Sequence, residues 1–318
     1  MLSETEELLW IASQENKTIP IQLIKFACNH NLPLSRMLEM GESDFYDVDK
    51  TIVSKFIKNI ENIPIDSCQK IFDQIQKERI TIVPYCDTYF PKGLRELEET
   101  KIPRLIYHQG KKIKIENGVA VVGTRNASTH AIEISRELGR ILPQNNFMIV
   151  SGLARGIDAA AMRGSISVSG KTIAVLPWIH NPYPPEHEQL LEEIKQNGSV
   201  ISENYVSAGS MDKYKFLQRN AIISALSEAL IAVESSYSGG TRWQVELAIS
   251  QKKTVIAIEP EISNRLAYDG YKQFVLKGAL PAKNAIDVLE ILNHRIKTQY
   301  QIDDYEIEDE DMEPLLTK

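Results

Sequence analysis

The chain has 318 residues, of which 43% are hydrophobic and 25% charged, with a formal net charge of −7. That composition fits a globular protein with a full core and room for two domains, and no run of about 18 apolar residues is present to suggest a membrane span. Acids from Glu4 onward are unlike a secretory signal. Three scattered cysteines without a CxxC pair (Cys28, Cys68, Cys86) point to a reducing cytosol and away from structural zinc or a disulfide frame.

From Glu4 to Glu78 the apolar residues recur at helical spacing, as in Ile52, Phe56, Ile57 and Ile60. Pro20, Pro33, Gly41 and Pro64 break this stretch into four or five short helices. It holds no catalytic constellation, and His30 falls at a helix end as a cap or surface residue. Residues 1–78 therefore read as a small all-helical accessory domain.

Ile80–Pro84 and Leu105–Gly110 read as strands that add edge structure ahead of a main sheet. The apolar run Val119–Val122 follows, closed by Gly123-Thr124-Arg125-Asn126-Ala127-Ser128. A helical pattern through Leu142 leads to a second run, Phe147–Val150, which ends in Ser151-Gly152-Leu153-Ala154-Arg155-Gly156-Ile157-Asp158. Further strands are expected at Thr172–Leu176, Val200–Asn204, Ala229–Glu234 and Thr254–Ile258, with helices between them. This alternation predicts an α/β fold over residues 79–298, an extended Rossmann-like, doubly wound and mostly parallel sheet. Residues 299–318 hold eight acids between Asp303 and Glu313 and read as a disordered tail. The rest of the chain is formally neutral, so the tail alone makes the protein acidic.

The two polar turns carry the chemistry. In parallel sheets ligands sit at the carboxyl ends of the strands. Glycines there allow close approach, helix starts attract anions, and guanidinium groups grip phosphate in bidentate fashion. Either turn alone can be read as a glycine bend with an arginine facing water. Two of them, each with Gly, Arg and a hydroxyl residue, favour an anion site. A third stretch, Lys213-Tyr214-Lys215-Phe216-Leu217-Gln218-Arg219-Asn220, pairs cations with aromatics, which suits single-stranded nucleic acid but is also common on solvated helix starts.

Taken together these residues resemble the DprA/Smf family of bacterial DNA-processing proteins. The resemblance rests on Val119–Asn126, Ser151–Asp158, Thr172–Leu176, Tyr183-Pro184-Pro185-Glu186, Ser202-Glu203 and Phe216–Asn220, and spans roughly Ile80 to Leu292. It implies a Rossmann-like fold, single-stranded DNA binding and a homodimer. It also implies the loading of a RecA-type recombinase in natural transformation and DNA recombination, with no catalytic reaction, cofactor or metal. By motif, Gly123, Arg125, Asn126, Ser151, Gly152, Arg155 and Gly156 would bind phosphate. Lys213, Lys215, Phe216, Arg219 and Asn220 would complete the DNA pocket, with Tyr183-Pro184-Pro185 shaping its wall.

The chain departs from the family pattern at several places. Leu217 and Ala221 replace a proline and a second arginine beside the Phe…Arg-Asn motif. The family's Gly-Ser-Leu-Ile-Thr segment reads Ser238-Gly239-Gly240-Thr241-Arg242-Trp243-Gln244-Val245-Glu246, and a C-terminal winged-helix domain is not expected. The altered segment supports a rival. Gly239, Gly240 and Glu246 fall at the spacing of the Gly-Gly…Glu motif of LOG-type nucleotide phosphoribohydrolases, where a glutamate and a nearby arginine act on an N-glycosidic bond, although Arg242 and Trp243 replace that motif's inner Gly and Thr; on this reading Gly239, Gly240, Thr241, Arg242 and Glu246 would form a nucleotide site. The ordinary reading of Glu246 is a helix-start acid favoured by the dipole. A non-catalytic sensor of a nucleotide signal, as in phage defence, is a third reading of the same turns.

Overall fold

The computed structural model describes residues 2–180, 182–206 and 213–294. Five helices come first: α1 (Glu4–Asn16), α2 (Ile21–Asn29), α3 (Leu34–Met37), α4 (Lys50–Asn59) and α5 (Ile65–Lys77). Local chemistry sets their ends. Ser3 caps α1 by accepting from the Glu6 N–H, and Asp49 caps α4 at the Thr51 and Ile52 N–H groups. The buried Glu6 carboxylate accepts from the N–H groups of Leu34 (2.5 Å) and Ser35 (3.1 Å), so α1 supplies the cap that α3 lacks.

The sheet begins with β1 (Thr81–Pro84), α6 (Lys92–Arg95) and β2 (Leu105–Gly110), and continues with β3 (Gly118–Val122), α7 (Thr129–Gln144), β4 (Met148–Ser151), α8 (Ile157–Ser167) and β5 (Thr172–Val175). Then come α9 (Glu188–Asn197), β6 (Ser199–Ser202), α10 (Lys213–Ala225), β7 (Ala229–Ala232), α11 (Thr241–Ser250), β8 (Thr254–Ile258), α12 (Arg265–Leu276) and β9 (Leu280–Ala282). A last helical segment covers 285–294.

The nine strands form one sheet in the order β1-β2-β6-β5-β4-β3-β7-β8-β9. Pairing is parallel from β6 through to β9, and antiparallel where β1 meets β2 and β2 meets β6. The predicted doubly wound sheet with added edge structure is thus the observed one. Its strands are buried along almost their whole length, as expected of parallel strands covered on both faces. Alternate residues feed two separate cores. Val119 and Val121 pack with Leu138, Met162 and Leu190 on one face, while Ala120 and Val122 pack with Ile223, Val245 and Phe274 on the other.

Two details differ from the sequence reading. The strands expected to run on through Asn204 and Glu234 stop at Ser202 and Ala232, where polar residues turn into loops. Strand β9 was not anticipated: it has three residues with a proline in the middle, which a chain tolerates on a sheet edge.

The helical region is not self-contained in packing. Its apolar residues, among them Leu9, Leu23, Phe45 and Phe56, share one core with Ile82, Leu105 and Tyr107 of the antiparallel edge. Gln14 ties the two together, its amide donating to the Glu203 carbonyl (2.8 Å) and accepting from the Arg104 N–H (2.7 Å).

The cysteine expectation is corrected. Cys28 at the end of α2 and Cys86 just after β1 are joined in a disulfide with a Cα separation of 5.2 Å. Sequence spacing hid the pair because the two positions, brought together beside the shared core, are 58 residues apart in the chain. Cys68 is free and buried. Among the described residues no helix is long and apolar enough to cross a membrane.

Candidate functional site

Strand order reverses at β3: β4, β5 and β6 lie to one side of it, β7 and β8 to the other. A crevice opens at such a switch point beyond the carboxyl ends of the strands. The turn after β3 borders it, and β7 holds that turn in place. The Glu234 carbonyl accepts from the Thr124 N–H (2.7 Å), and its carboxylate accepts from the Ser128 hydroxyl (2.6 Å) and N–H (3.2 Å). Ser128 in turn caps α7 through the Ala131 N–H. With the turn's own polar groups spent in this way, Arg125 stands exposed and has no salt bridge among the described residues.

The turn after β4 is built inward. Gly156 has φ +75°, and a Cβ there would lie 2.4 Å from the Thr124 carbonyl oxygen, so only glycine lets the two turns touch. Asp158, in the first turn of α8 and buried, accepts from the N–H groups of Gly152 (3.1 Å) and Ala154 (3.4 Å). Arg219 of α10 lies 3.8 Å from the same carboxylate and is equally buried. A Cβ on Gly152 would fall 1.2 Å from an Arg219 guanidinium nitrogen, so the missing side chain is the space the guanidinium fills. Burial pushes the Asp158 carboxyl up and the Arg219 guanidinium down from their ordinary values, and each partner offsets the other's shift.

Phe216 stands between these cations. The Arg125 guanidinium carbon is 5.8 Å from its ring centre and that of Arg219 is 6.0 Å away, while Trp178 and Tyr183 meet it edge-on at 5.6 and 6.2 Å. The ring separates two cavities. A smaller one, about 290 Å³, is walled by Arg125, Asn126, Gly152, Arg155, Tyr183 and Pro184. A larger one, about 480 Å³, is bounded by Gly123, Asn220, Ser235, Gly240, Trp243 and Gln244. Arg125, Phe216 and Arg219 belong to both.

Most of the expected phosphate and pocket residues therefore meet at one place: Gly123, Arg125, Asn126, Gly152, Phe216, Arg219 and Asn220, with Arg155 at the edge of the smaller cavity but engaged elsewhere. Others do not. Ser151 is fully buried and donates its hydroxyl to the Val121 carbonyl (2.7 Å), so it joins two strands rather than facing a ligand. Arg155 is exposed but ion-paired with Glu186, which raises the arginine's pKa and lowers the glutamate's. Lys215 donates to the Val206 carbonyl (2.7 Å) and lines neither cavity. Lys213 opens α10, its side chain lying outside the described residues, as does the acidic tail.

The rival motif is divided. Gly239, Gly240 and Thr241 line the larger cavity, but Arg242 and Glu246 do not. Glu246 sits in the middle of α11, not at its start, and pairs with Lys277 and with Arg242 (2.9 Å). Hydrogen bonds from those two cations hold its carboxyl below the ordinary value. Sequence reasoning passed over Asp158, Trp178 and Glu234. An acid one residue inside a helix that follows a Gly-rich turn was the available signal for Asp158; nothing local marked the other two.

Residues 81–293 match the family described as DNA recombination-mediator protein A. The chain belongs to that family. The Smf protein of Synechocystis is 30% identical over 250 residues, 75% of this chain and 61% of the relative, so the match spans less than two thirds of that protein. Among solved structures, DNA processing protein A of Streptococcus pneumoniae superposes with a TM-score of 0.70 at 24% identity, covering 91% of this chain and 98% of the other, which establishes a shared DprA fold. The Helicobacter pylori protein, described for its single-stranded DNA binding mode, gives a TM-score of 0.59 at 26% identity over 68% of this chain and 96% of that one.

Proposed function

We propose that this DprA-family chain binds single-stranded DNA at the carboxyl edge of its sheet. One juxtaposition carries the reading: the exposed Arg125 guanidinium beside the Phe216 ring, backed by the buried Arg219–Asp158 pair. A phosphate takes the guanidinium in bidentate fashion while a base stacks on the aromatic ring, a combination that suits a strand of any sequence. The described DNA binding of the Helicobacter pylori relative supports the same ligand. Family membership supports a role in recombination: a homodimer that protects incoming strands, as in natural transformation, and helps load a RecA-type recombinase.

The reading is non-enzymatic. Glu246, the one candidate for glycosidic chemistry, is engaged by Lys277 and Arg242 and does not line the cavity. Fluorescence anisotropy with a labelled oligothymidylate tests the proposal. Wild-type protein is expected to bind with an affinity that falls as salt rises. Arg125→Ala should lose about tenfold or more, the value of one charge-assisted contact. Equal binding by both proteins, or none by either, rejects it.

A further inference from the structure

The site described so far gives a bound strand one aromatic surface, Phe216, and leaves the larger cavity on its far side without an occupant. That cavity, about 480 Å³, has the size of a small-ligand site and shares Arg125 with the smaller one. Its rim carries Trp243, 59% exposed on the first turn of α11, and across from it Leu217 of α10, 52% exposed. Its wall includes Gln244, only 7% exposed, whose amide nitrogen has no hydrogen-bond partner among the described residues. A buried amide donor without an acceptor is costly and points to a group supplied from outside. Next to it the position a Cβ would take on Gly240 has no atom within 4 Å, so a ligand can reach the helix start, which favours an anion.

We propose that this cavity receives the next nucleotide of the bound strand, its base stacked on Trp243 and its phosphate drawn between Arg125 and the start of α11, within reach of Gln244. The inference rests on the DNA reading and extends it. Phe216 then stands between two consecutive bases. Arg242, its guanidinium carbon 5.2 Å from the Trp243 ring, steadies that ring.

The chain's own tryptophans provide the readout. Trp10 and Trp178 are 3% and 6% exposed, so the solvent-exposed emission belongs to Trp243. Oligothymidylates of increasing length are expected to quench that emission in the wild type, and Trp243→Phe, which lacks it, should show no such length-dependent quenching. In Trp243→Ala affinity should fall about 5- to 150-fold for oligonucleotides long enough to cross Phe216, whereas Trp243→Phe retains most of it. Unchanged affinity in Trp243→Ala, with Arg125→Ala still defective, overturns this inference and leaves the DNA reading standing. Quenching by thymidine monophosphate but not by the oligonucleotides also overturns it, assigning the cavity to a free nucleotide. If wild-type protein shows no anisotropy change with any oligonucleotide, both readings fall together.

Discussion

The turn after β3 and the turn after β4 are made of the same parts, a glycine, an arginine and hydroxyl residues, and lie side by side on neighbouring strands. In the first, Glu234 and Ser128 satisfy the backbone and leave Arg125 exposed against an aromatic face. In the second, almost every polar group is spent internally. Ser151 bonds Val121, Asp158 collects two N–H groups and faces Arg219, and Arg155 is held by Glu186. One turn presents charge and the other supports the buried arginine beside Phe216. Composition alone does not tell them apart, because the difference is made by partners that arrive from β7, α10 and the loop before α9.

Substitutions at the two turns should therefore fail in different ways. The largest effect is expected from Gly152→Ala in the supporting turn. The new methyl occupies the Arg219 guanidinium position, and breaking a buried pair costs about 3 to 5 kcal/mol. Denaturant unfolding should show the loss in stability, with DNA binding lost alongside it. Arg125→Ala in the presenting turn should do the reverse, costing about 1.5 to 3 kcal/mol in binding while the unfolding midpoint stays put.

Ser151→Ala is expected to cost about 1 to 2 kcal/mol of stability, since it removes the donor to a buried carbonyl, and to bind oligonucleotide as the wild type does. A selective loss of affinity in that variant would place the hydroxyl at the ligand and erase the contrast. The smallest effect belongs to Arg155→Ala. Its ion pair with Glu186 is exposed, so stability should change by less than about 1 kcal/mol. Titration against salt should show the affinity nearly unchanged, with at most a shallower slope.

Much of this was legible in the chain. Fully apolar runs such as Val119–Val122 announce strands covered on both sides, and the positions of Gly123 and Gly152 just after such runs mark the carboxyl edge of the sheet. The run from Ser151 to Asp158 located the second turn but not its economy, because whether Arg155 is free depends on Glu186, 31 residues away. Likewise Glu246 kept the spacing of a catalytic acid, and its ion pair with Lys277, just past the end of α12 and 31 residues away, could not be read from that spacing. The helical region was assigned as separate because periodicity reports the helices and is silent on which core they share. Leu9 and Tyr107 lie in one cluster, and no pattern in either segment says so.

The bond between Cys28 and Cys86 gives this shared core a covalent boundary. A protease that cuts once anywhere in the segment it encloses opens the chain without releasing a fragment. The first two helices stay tethered to the sheet until a reductant is added, whereupon gel electrophoresis should resolve two pieces from what had migrated as one.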